Sequence, residues 1–212
     1  LDIIKQAFPA ATDVQEGSDV SLKSFLTDVN SADLSDESDY MRIRDSMDIR
    51  EFINYLIVET YSNNMDWPTN NVKLWHQPGV SKWRWMLYDL DFGFGGFGDV
   101  YGNLLDNVYS MGYNASSSIV FFQLMANNGF RNNFAQTYAA HLNITYRPDR
   151  IRHIIDSIAI LVQPEVERHS NRWKSAGSIQ NLNTWSQHLS NARVFAGARP
   201  AIQWNHLKGF LG

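Results

Sequence analysis

Four polar side chains in the middle of the chain have the types needed to bind a divalent cation and to accept a proton. Asp66 and Asn71 lie in one polar loop, and Asp89 and Asp91 follow a candidate strand. Residues two positions apart on a strand project to the same side, with roughly 6.5 to 7 Å between their Cα atoms. Oxygen ligands without cysteine or clustered histidine favour Mg²⁺ or Mn²⁺ over Zn²⁺. The pattern indicates phosphoryl transfer, in which a metal is held by some of these groups and another carboxylate accepts a hydroxyl proton.

The order of these residues is that of protein-kinase catalytic and metal loops, Asp-x4-Asn followed by an Asp before Phe-Gly. Asp66 is then the candidate base, and Asn71 is a neutral metal ligand. The Asp-x4-Asn spacing and the Asp-Phe-Gly tripeptide each occur often by chance. In the alternative interpretation Asp66 is a turn residue, Asn71 caps backbone groups, and Asp89 and Asp91 are the solvated end of a strand.

A β-hairpin is the element that would bring these side chains together. Residues 72–76 and 83–88 are rich in branched and aromatic residues, with a Pro-Gly turn between them. A five-residue loop would pair Trp75 with Trp85 and place Asn71 opposite Asp89, although the register can slip by one residue. Lys73 then lies on the same face as Asn71 and Asp89. It either contacts phosphate or is a plain exposed lysine.

Glycine-rich residues 92–98 follow directly. They either cradle phosphate through backbone N–H groups or form a flexible loop that lets the backbone pass close to the metal end.

Composition excludes several classes of protein. The chain has 212 residues and no cysteine, which excludes thiol catalysis and cysteine–metal sites. A formal net charge of −4 argues against nucleic-acid and membrane-surface binding, because both need concentrated Lys and Arg. No apolar run approaches the roughly 20 residues of a membrane helix. Aromatic residues are abundant, with 7 Trp and 12 Phe.

Helical spacing of apolar residues dominates the rest of the chain, so the expected fold class is α+β, predominantly helical, with a central β-hairpin. Residues 1–45 are predicted to form two short helices and a loop. Residues 149–162 place several isoleucines on one apolar face, and Pro164 is predicted to start a new helix. Gly197 and Pro200 are predicted to divide residues 181–211 into two helices. Further helices are predicted at residues 47–61, 118–127 and 130–143.

Residues 64–71 and 83–93 resemble the CotH (spore coat protein H) kinase-like family, whose members carry an Asn-x-Asp-x4-Asn loop and a Trp/Tyr-Asp-x-Asp segment. Residues 195–200 and 210–211 are similar to the C-terminal helices of that family, so the resemblance covers roughly residues 45–212. It implies an atypical protein-kinase-like C-terminal lobe. Such a lobe would bind ATP with Mg²⁺ or Mn²⁺ and phosphorylate a coat or surface protein.

Carried over by this resemblance, Asp66 matches the catalytic aspartate, Asn71 the metal-binding asparagine and Asp89 the metal-binding aspartate. Asp91 is a second acidic position of the same segment, and which of Asp89 and Asp91 is the principal ligand stays open. Asn64 departs from conventional kinases, which have a histidine at that position.

A kinase also needs an upstream lobe with a nucleotide-covering loop and a lysine paired with a glutamate. Lys5 and Lys23 are available, but neither lies in a central-strand pattern. We therefore expect residues 1–45 to be an N-terminal connecting segment and residues 46–212 to be the kinase-like lobe, with the rest of the family domain upstream. Alone, the fragment could bind metal without transferring phosphate.

Two alternatives compete with the kinase hypothesis. The first is a non-catalytic surface or coat assembly module that binds glycan or protein through exposed Trp and Tyr, and the second is a metal-stabilised structural domain. The family resemblance implies a bacterial surface or secreted setting. We expect a protein substrate, no nucleic-acid partner and no membrane-spanning segment.

Overall fold

One small antiparallel sheet lies among the helices, in the strand order β2-β1-β3-β4. The computed structural model describes residues 1–6, 12–110, 115–173 and 179–212. The strands are β1 (Asp2–Gln6), β2 (Thr12–Glu16), β3 (Val72–His76) and β4 (Arg84–Trp85). The helices are α1 (Val20–Ser31), α2 (Glu37–Ser46), α3 (Ile49–Ser62), α4 (Leu104–Ser110), α5 (Ser116–Leu124), α6 (Asn128–Ala140), a π-helical turn (His141–Thr145), α7 (Pro148–Trp173) and α8 (Leu182–Leu211).

This architecture confirms an α+β, mostly helical fold, and the predicted hairpin is part of a four-stranded sheet. Helix α3 forms as predicted, because its apolar residues recur at helical spacing and its ends are capped. The Asp48 carboxylate accepts a hydrogen bond from the backbone N–H of Glu51 at 3.2 Å. Asn63 ends the helix in the left-handed conformation, with φ of 53°. No helix in the described part of the chain is long and apolar enough to cross a membrane.

The predicted hairpin register is wrong by one residue. Trp85 pairs with Leu74 rather than Trp75, and Trp75 pairs with Arg84. The second strand is also shorter than predicted, and it starts one residue late because Trp83 is bound elsewhere. Its backbone N–H donates to the carbonyl of Ser46, at the end of α2, and its carbonyl accepts from the N–H of Asp48. Pairing with β3 therefore starts only at Arg84.

The prediction of two helices within residues 1–45 is confirmed by α1 and α2, but the strands β1 and β2 before them were missed. Residues 7–11 lie outside the described residues. Strand β2 is mostly exposed, so it lacks the apolar alternation that reveals a strand. Strand β1 lies between β2 and β3, and the expectation that Lys5 lies outside a central strand is wrong.

The two C-terminal helices are longer than predicted. Helix α7 continues through Pro164, and α8 continues through Gly197 and Pro200. The two helices pack against each other, and this tertiary contact outweighs the local cost of proline in a helix. Gly197 lies directly against the guanidinium of Arg152 on α7, and a larger residue there would require this flexible side chain to move.

The apolar face predicted on α7 is largely exposed. Ile154, Ile158 and Val162 are 42%, 55% and 45% exposed, whereas the residues of α7 that are buried include Ala159 and Val166. Helical periodicity located an apolar stripe on α7. It could not show whether other described residues pack against that stripe, and few of them do.

Candidate active site

The loop after α3 holds Asp66 in a defined orientation. Oδ2 of Asp66 accepts hydrogen bonds from Nδ2 of Asn70 and Nδ2 of Asn71, each at 2.9 Å. Trp67 anchors the loop, since its side chain is buried and its Nε1 donates to the hydroxyl of Tyr55 at 2.6 Å. Within the described residues Oδ1 of Asp66 makes no hydrogen bond, so this oxygen is free to accept a proton from a bound molecule.

Asn71 links this loop to the sheet. It is buried, precedes β3 directly and has a positive φ of 55°. Its Nδ2 is committed to Asp66, which leaves the acceptor Oδ1 free for a cation.

Asp89 and Asp91 lie in the segment that follows β4, and both side chains are exposed. The pKa of Asp89 is raised, chiefly by a hydrogen bond that its carboxyl group shares with Asp91, and further by partial desolvation and by the charges of Asp91 and Asp66. Lys5 opposes this shift. The register that predicted Asn71 opposite Asp89 is wrong, yet Asp66 lies close enough to Asp89 to raise its pKa. A divalent cation would relieve the repulsion among these carboxylates.

The backbone of Asp89 is held by Asn64. Asp89 has a φ of 59°, in the left-handed region, and its carbonyl accepts a hydrogen bond from Nδ2 of Asn64 at 3.3 Å. Nδ2 of Asn64 also donates to Oε2 of Glu59 at 2.9 Å. Asn64, which departs from the histidine of conventional kinases, therefore positions the backbone beside the acidic groups.

Glu59 is a residue that sequence reasoning missed. It is fully buried near the end of α3, and burial raises its pKa to about 7, against the opposing effect of its hydrogen bond with Asn64. A signal was present in the sequence, because position 59 lies one turn after Tyr55 and Leu56 on the buried side of the helix. A carboxyl group at such a position needs a partner.

Lys73 lies on β3 and is half-buried. Its Nζ is 5.1 Å from the centroid of the Tyr88 ring, and the hydroxyl of Tyr88 is buried without a hydrogen-bond partner among the described residues. The phosphate-contacting role of Lys73 stays a prediction. Tyr88 directly precedes Asp89 in the chain.

The glycine-rich loop approaches the end of α3 closely. A Cβ added at Gly93 would lie 3.1 Å from Cβ of Ser62, and the N–H of Phe94 donates to the carbonyl of Ser62 at 2.8 Å. Arg199 on α8 is fully buried and binds the same region through the carbonyls of Thr60 and Tyr61, at 2.7 and 2.8 Å. These contacts hold the glycine-rich loop, which follows Asp89 in the chain, against the end of α3.

Aromatic residues form much of the support for this site. Trp67, Trp83 and Trp85 are buried, and Trp85 packs against Phe52 with ring centroids 4.4 Å apart. Phe97 in the glycine-rich loop is instead 71% exposed. The aromatic excess in the composition therefore serves mainly as core.

The donor groups fit Mg²⁺ or Mn²⁺ better than they fit a metal ion whose ligands all come from the protein. Across the described ranges no group of three or more His, Asp or Glu side chains could hold a metal ion. Mg²⁺ needs fewer protein ligands, because it is usually bound by one or two carboxylates together with waters and substrate phosphates. Asp89, Asp91 and Oδ1 of Asn71 stay the predicted set.

Comparison with known proteins gives one informative result. No curated protein matches the chain significantly. A model of the family described as CotH kinase protein matches residues 4–202, which is most of the chain and begins earlier than the resemblance at residue 45 suggested. The chain therefore belongs to the CotH kinase protein family, and this membership implies a kinase-like function that uses ATP.

Proposed function

We propose that this chain carries the catalytic and metal-binding groups of an atypical protein kinase that transfers the γ-phosphoryl group of ATP to a protein hydroxyl. The observation that carries the proposal is the state of Asp66. Two amides bind one oxygen of its carboxylate at 2.9 Å, and the other oxygen is free beside the acidic groups at Asp89.

Asp66 acts on the acceptor hydroxyl. In the transfer, the acceptor oxygen forms a bond to the γ-phosphorus as the bond from that phosphorus to the β–γ bridging oxygen breaks, and ADP leaves. The hydroxyl proton moves to Oδ1 of Asp66. Asn70 and Asn71 keep the carboxylate oriented for this step, which is the positioning that phosphoryl transfer mainly requires.

Asn71, Asp89 and Asp91 are the residues that would hold Mg²⁺ or Mn²⁺. The metal supplies positive charge that neutralises the phosphate oxygens. Asn64 holds the backbone at Asp89 through a hydrogen bond to its carbonyl, which supports the position of this segment.

The acceptor is a protein, and the setting is a bacterial surface or coat. Both follow from the family resemblance, in which the chain corresponds to a kinase-like C-terminal lobe. The mostly helical fold around a small sheet supports the kinase-like part of the proposal alone.

The test is Asp66→Asn in the intact natural protein, with Asp149→Asn on α7 as the matched control. Asp149 is exposed, and in the described structure its charged partner is Arg147. We expect Asp66→Asn to lower transfer from γ-labelled ATP to casein or to the protein itself by about 10²-fold or more. The affinity for Mn·ATP, measured by calorimetry, should stay within about threefold.

Two results would contradict the proposal. One is full transfer activity in Asp66→Asn. The other is a wild-type melting temperature that neither Mn²⁺ nor Mn·ATP raises, because a ligand that binds only the folded state must stabilise it.

A further inference from the structure

A cleft of about 590 Å³ opens between α3, α6 and the π-helical turn, and none of its lining residues belongs to the candidate active site. We call it the α3–α6 cleft. The N–H of Tyr146 donates to the carbonyl of His141 at 2.8 Å, which closes the five-residue turn on one side of the cleft. Turns of this kind are rare and occur frequently at functional sites. The volume is that of a small-molecule site, since such sites are typically clefts of about 300–1,000 Å³.

Three linked side chains fix the hydrogen-bonding state of one wall of the cleft. Nε2 of His141 lies 3.0 Å from Oδ1 of Asn54, and Nδ1 lies 2.9 Å from the hydroxyl oxygen of Thr145. Burial lowers the pKa of His141, so the ring is neutral at pH 7 and carries a single N–H. Because Oδ1 of Asn54 can only accept, this N–H is on Nε2, and Nδ1 accepts from Thr145. Nδ2 of Asn54 is then a donor without an acceptor among the described residues.

The charge of the cleft comes from Arg50. Among the described residues that line the cleft it is the one permanent cation, and no Asp or Glu lines it. Two carboxyl groups lie near Arg50 in sequence, but both are bound elsewhere. Asp48 binds Arg84 at 3.0 Å, and Glu51 accepts a hydrogen bond from the backbone N–H of Trp85 at 3.1 Å. Arg50 makes no ion pair or hydrogen bond with any described side chain, so its guanidinium keeps five N–H donors for a ligand or water.

Two carboxamides of α6 add further donors to the cleft. Oδ1 of Asn133 accepts from the hydroxyl of Thr137 at 3.2 Å, and its Nδ2 has no acceptor in the described chain. The side chain of Gln136 makes no hydrogen bond with a described residue, so its amide can both donate and accept. Together with Arg50 and Nδ2 of Asn54, the side chains of the cleft offer more free donors than free acceptors. A complementary ligand is therefore rich in acceptor oxygens and negatively charged.

We propose that the α3–α6 cleft binds a sugar that carries a phosphate or carboxylate group. Arg50 binds the oxyanion, for which its planar guanidinium offers two parallel N–H donors. Asn133 and Gln136 bind hydroxyl groups, because a carboxamide matches both the donor and the acceptor of a hydroxyl. Ile53 and Ile144 provide apolar surface for the ring carbons. This site is separate from the residues proposed for phosphoryl transfer and does not depend on that proposal.

The test uses three probes that share one hexose body, namely glucose 6-phosphate, glucuronate and glucose. Each is titrated into the protein by calorimetry in metal-free buffer, so that metal-dependent binding at the candidate active site does not contribute. We expect at least one of the two anions to bind about tenfold or more tightly than glucose, because a charge-assisted contact is added to the same body. The tighter of the two anions identifies the oxyanion that the cleft prefers.

Matched variants locate this binding in the cleft. Arg50→Met should weaken the tighter anion about tenfold or more, whereas Arg131→Met, which removes an exposed arginine of α6 outside the cleft, should leave its affinity unchanged. Arg50→Lys keeps the charge but loses the paired donors, so its affinity should lie between those of wild type and Arg50→Met. Asn133→Ala should weaken binding about threefold, whereas Asn132→Ala, at the neighbouring exposed position, should not.

The proposal is overturned if neither anion binds more tightly than glucose. It is also overturned if Arg50→Met and Arg131→Met weaken binding equally, since anions would then be attracted to arginines in general. If Arg50→Met is unstable, Arg50→Lys and Asn133→Ala decide, and wild-type affinity in both would contradict the assignment. Failure of the kinase proposal leaves these results unaffected, because none of the probes requires a metal or ATP.

Discussion

The side-chain amide of Asn64 donates a hydrogen bond of 2.9 Å to the buried carboxyl group of Glu59. The same nitrogen reaches the carbonyl of Asp89 at 3.3 Å, so a group inside α3 is connected to the backbone of a proposed metal ligand. Burial raises the pKa of Glu59 to about 7, which means that the protonation of this carboxyl group changes near neutral pH.

The first prediction concerns the pH dependence of stability through Glu59. Its pKa is raised from an ordinary 4.5 to about 7 in the folded state, so between these values the folded state binds more protons than the unfolded state. Its stabilising contribution is complete below pH 4.5 and is lost as the pH rises through 7. The difference in pKa corresponds to about 3 kcal/mol in the free energy of unfolding.

Glu59→Gln should therefore be more stable than wild type at pH 8 and about equal to it near pH 4.5, as measured by urea unfolding across this range. The exposed Glu167→Gln on α7 serves as the control and should follow the wild-type curve. Burial also raises the pKa of Glu51 to about 7, so Glu51 changes the stability with pH in the same direction. Some pH dependence of stability should therefore remain in Glu59→Gln. Identical curves for wild type and Glu59→Gln would contradict the assignment.

The second prediction separates the two amides that bind Asp66. Asn70 and Asn71 each donate to the same oxygen at 2.9 Å, but only Asn71 is proposed to give its Oδ1 to a metal. Asn71→Gly should weaken Mn²⁺ binding about tenfold or more, whereas Asn70→Gly should leave it within about twofold. Glycine is chosen because Asn71 has a φ of 55°, where other side chains would be strained. Equal effects of the two variants on Mn²⁺ affinity in calorimetry would remove Asn71 from the ligand set.

The third prediction concerns the buried cation Arg199. Its guanidinium donates to the carbonyls of Thr60, Tyr61, Val100 and Gly102 at 2.7 to 2.8 Å. Arg199→Met would leave these carbonyls buried without partners. We therefore expect the free energy of unfolding, measured with guanidinium chloride as denaturant, to fall by about 3–5 kcal/mol.

Arg193→Met, on the same helix, removes an arginine that is partly exposed and pairs with Asp156 at 2.7 Å. It should cost no more than about 1 kcal/mol. A small effect of Arg199→Met, comparable to that of Arg193→Met, would mean that Arg199 does not hold α8 to the end of α3.

The fourth prediction compares two glycines. A Cβ at Gly93 would lie 3.1 Å from both Cβ of Ser62 and the carbonyl oxygen of Leu90, in a buried place where neither neighbour can easily move. We expect Gly93→Ala to cost about 1–3 kcal/mol. Gly209 on α8 has no atom near the added Cβ, so Gly209→Ala should stabilise the protein by up to about 1 kcal/mol through helix propensity. Thermal unfolding of both variants would show opposite shifts, and a stabilised Gly93→Ala would contradict the packing described for this loop.

Local sequence information was sufficient to predict several parts of this structure. Helix α3 and strand β3 lie within about two residues of their predicted bounds, because apolar spacing and capping residues act over a few positions. The contact between Asp66 and Asn71 is also local, since the two residues belong to one short loop. The family resemblance also rested on local segments, chiefly residues 64–71 and 83–93.

Contacts between distant segments decided the rest. The hairpin register depends on Trp83, whose backbone is bound to the end of α2, and no rule of loop length contains that contact. Pro164 and Pro200 remain inside helices because α7 and α8 support each other. The exposed apolar face of α7 follows from which helix packs against it, whereas periodicity shows only that such a face exists.

Lys5 illustrates the division most clearly. The sequence alone determined that a kinase-like set of Asp66, Asn71, Asp89 and Asp91 occurs in order, because residue type and spacing are written along the chain. Only the tertiary structure decided that β1 pairs with β3, which puts Lys5 opposite Lys73 and within electrostatic reach of Asp89. The physical reason is that strand pairing joins segments distant in sequence, through backbone hydrogen bonds that residue types at either strand do not specify.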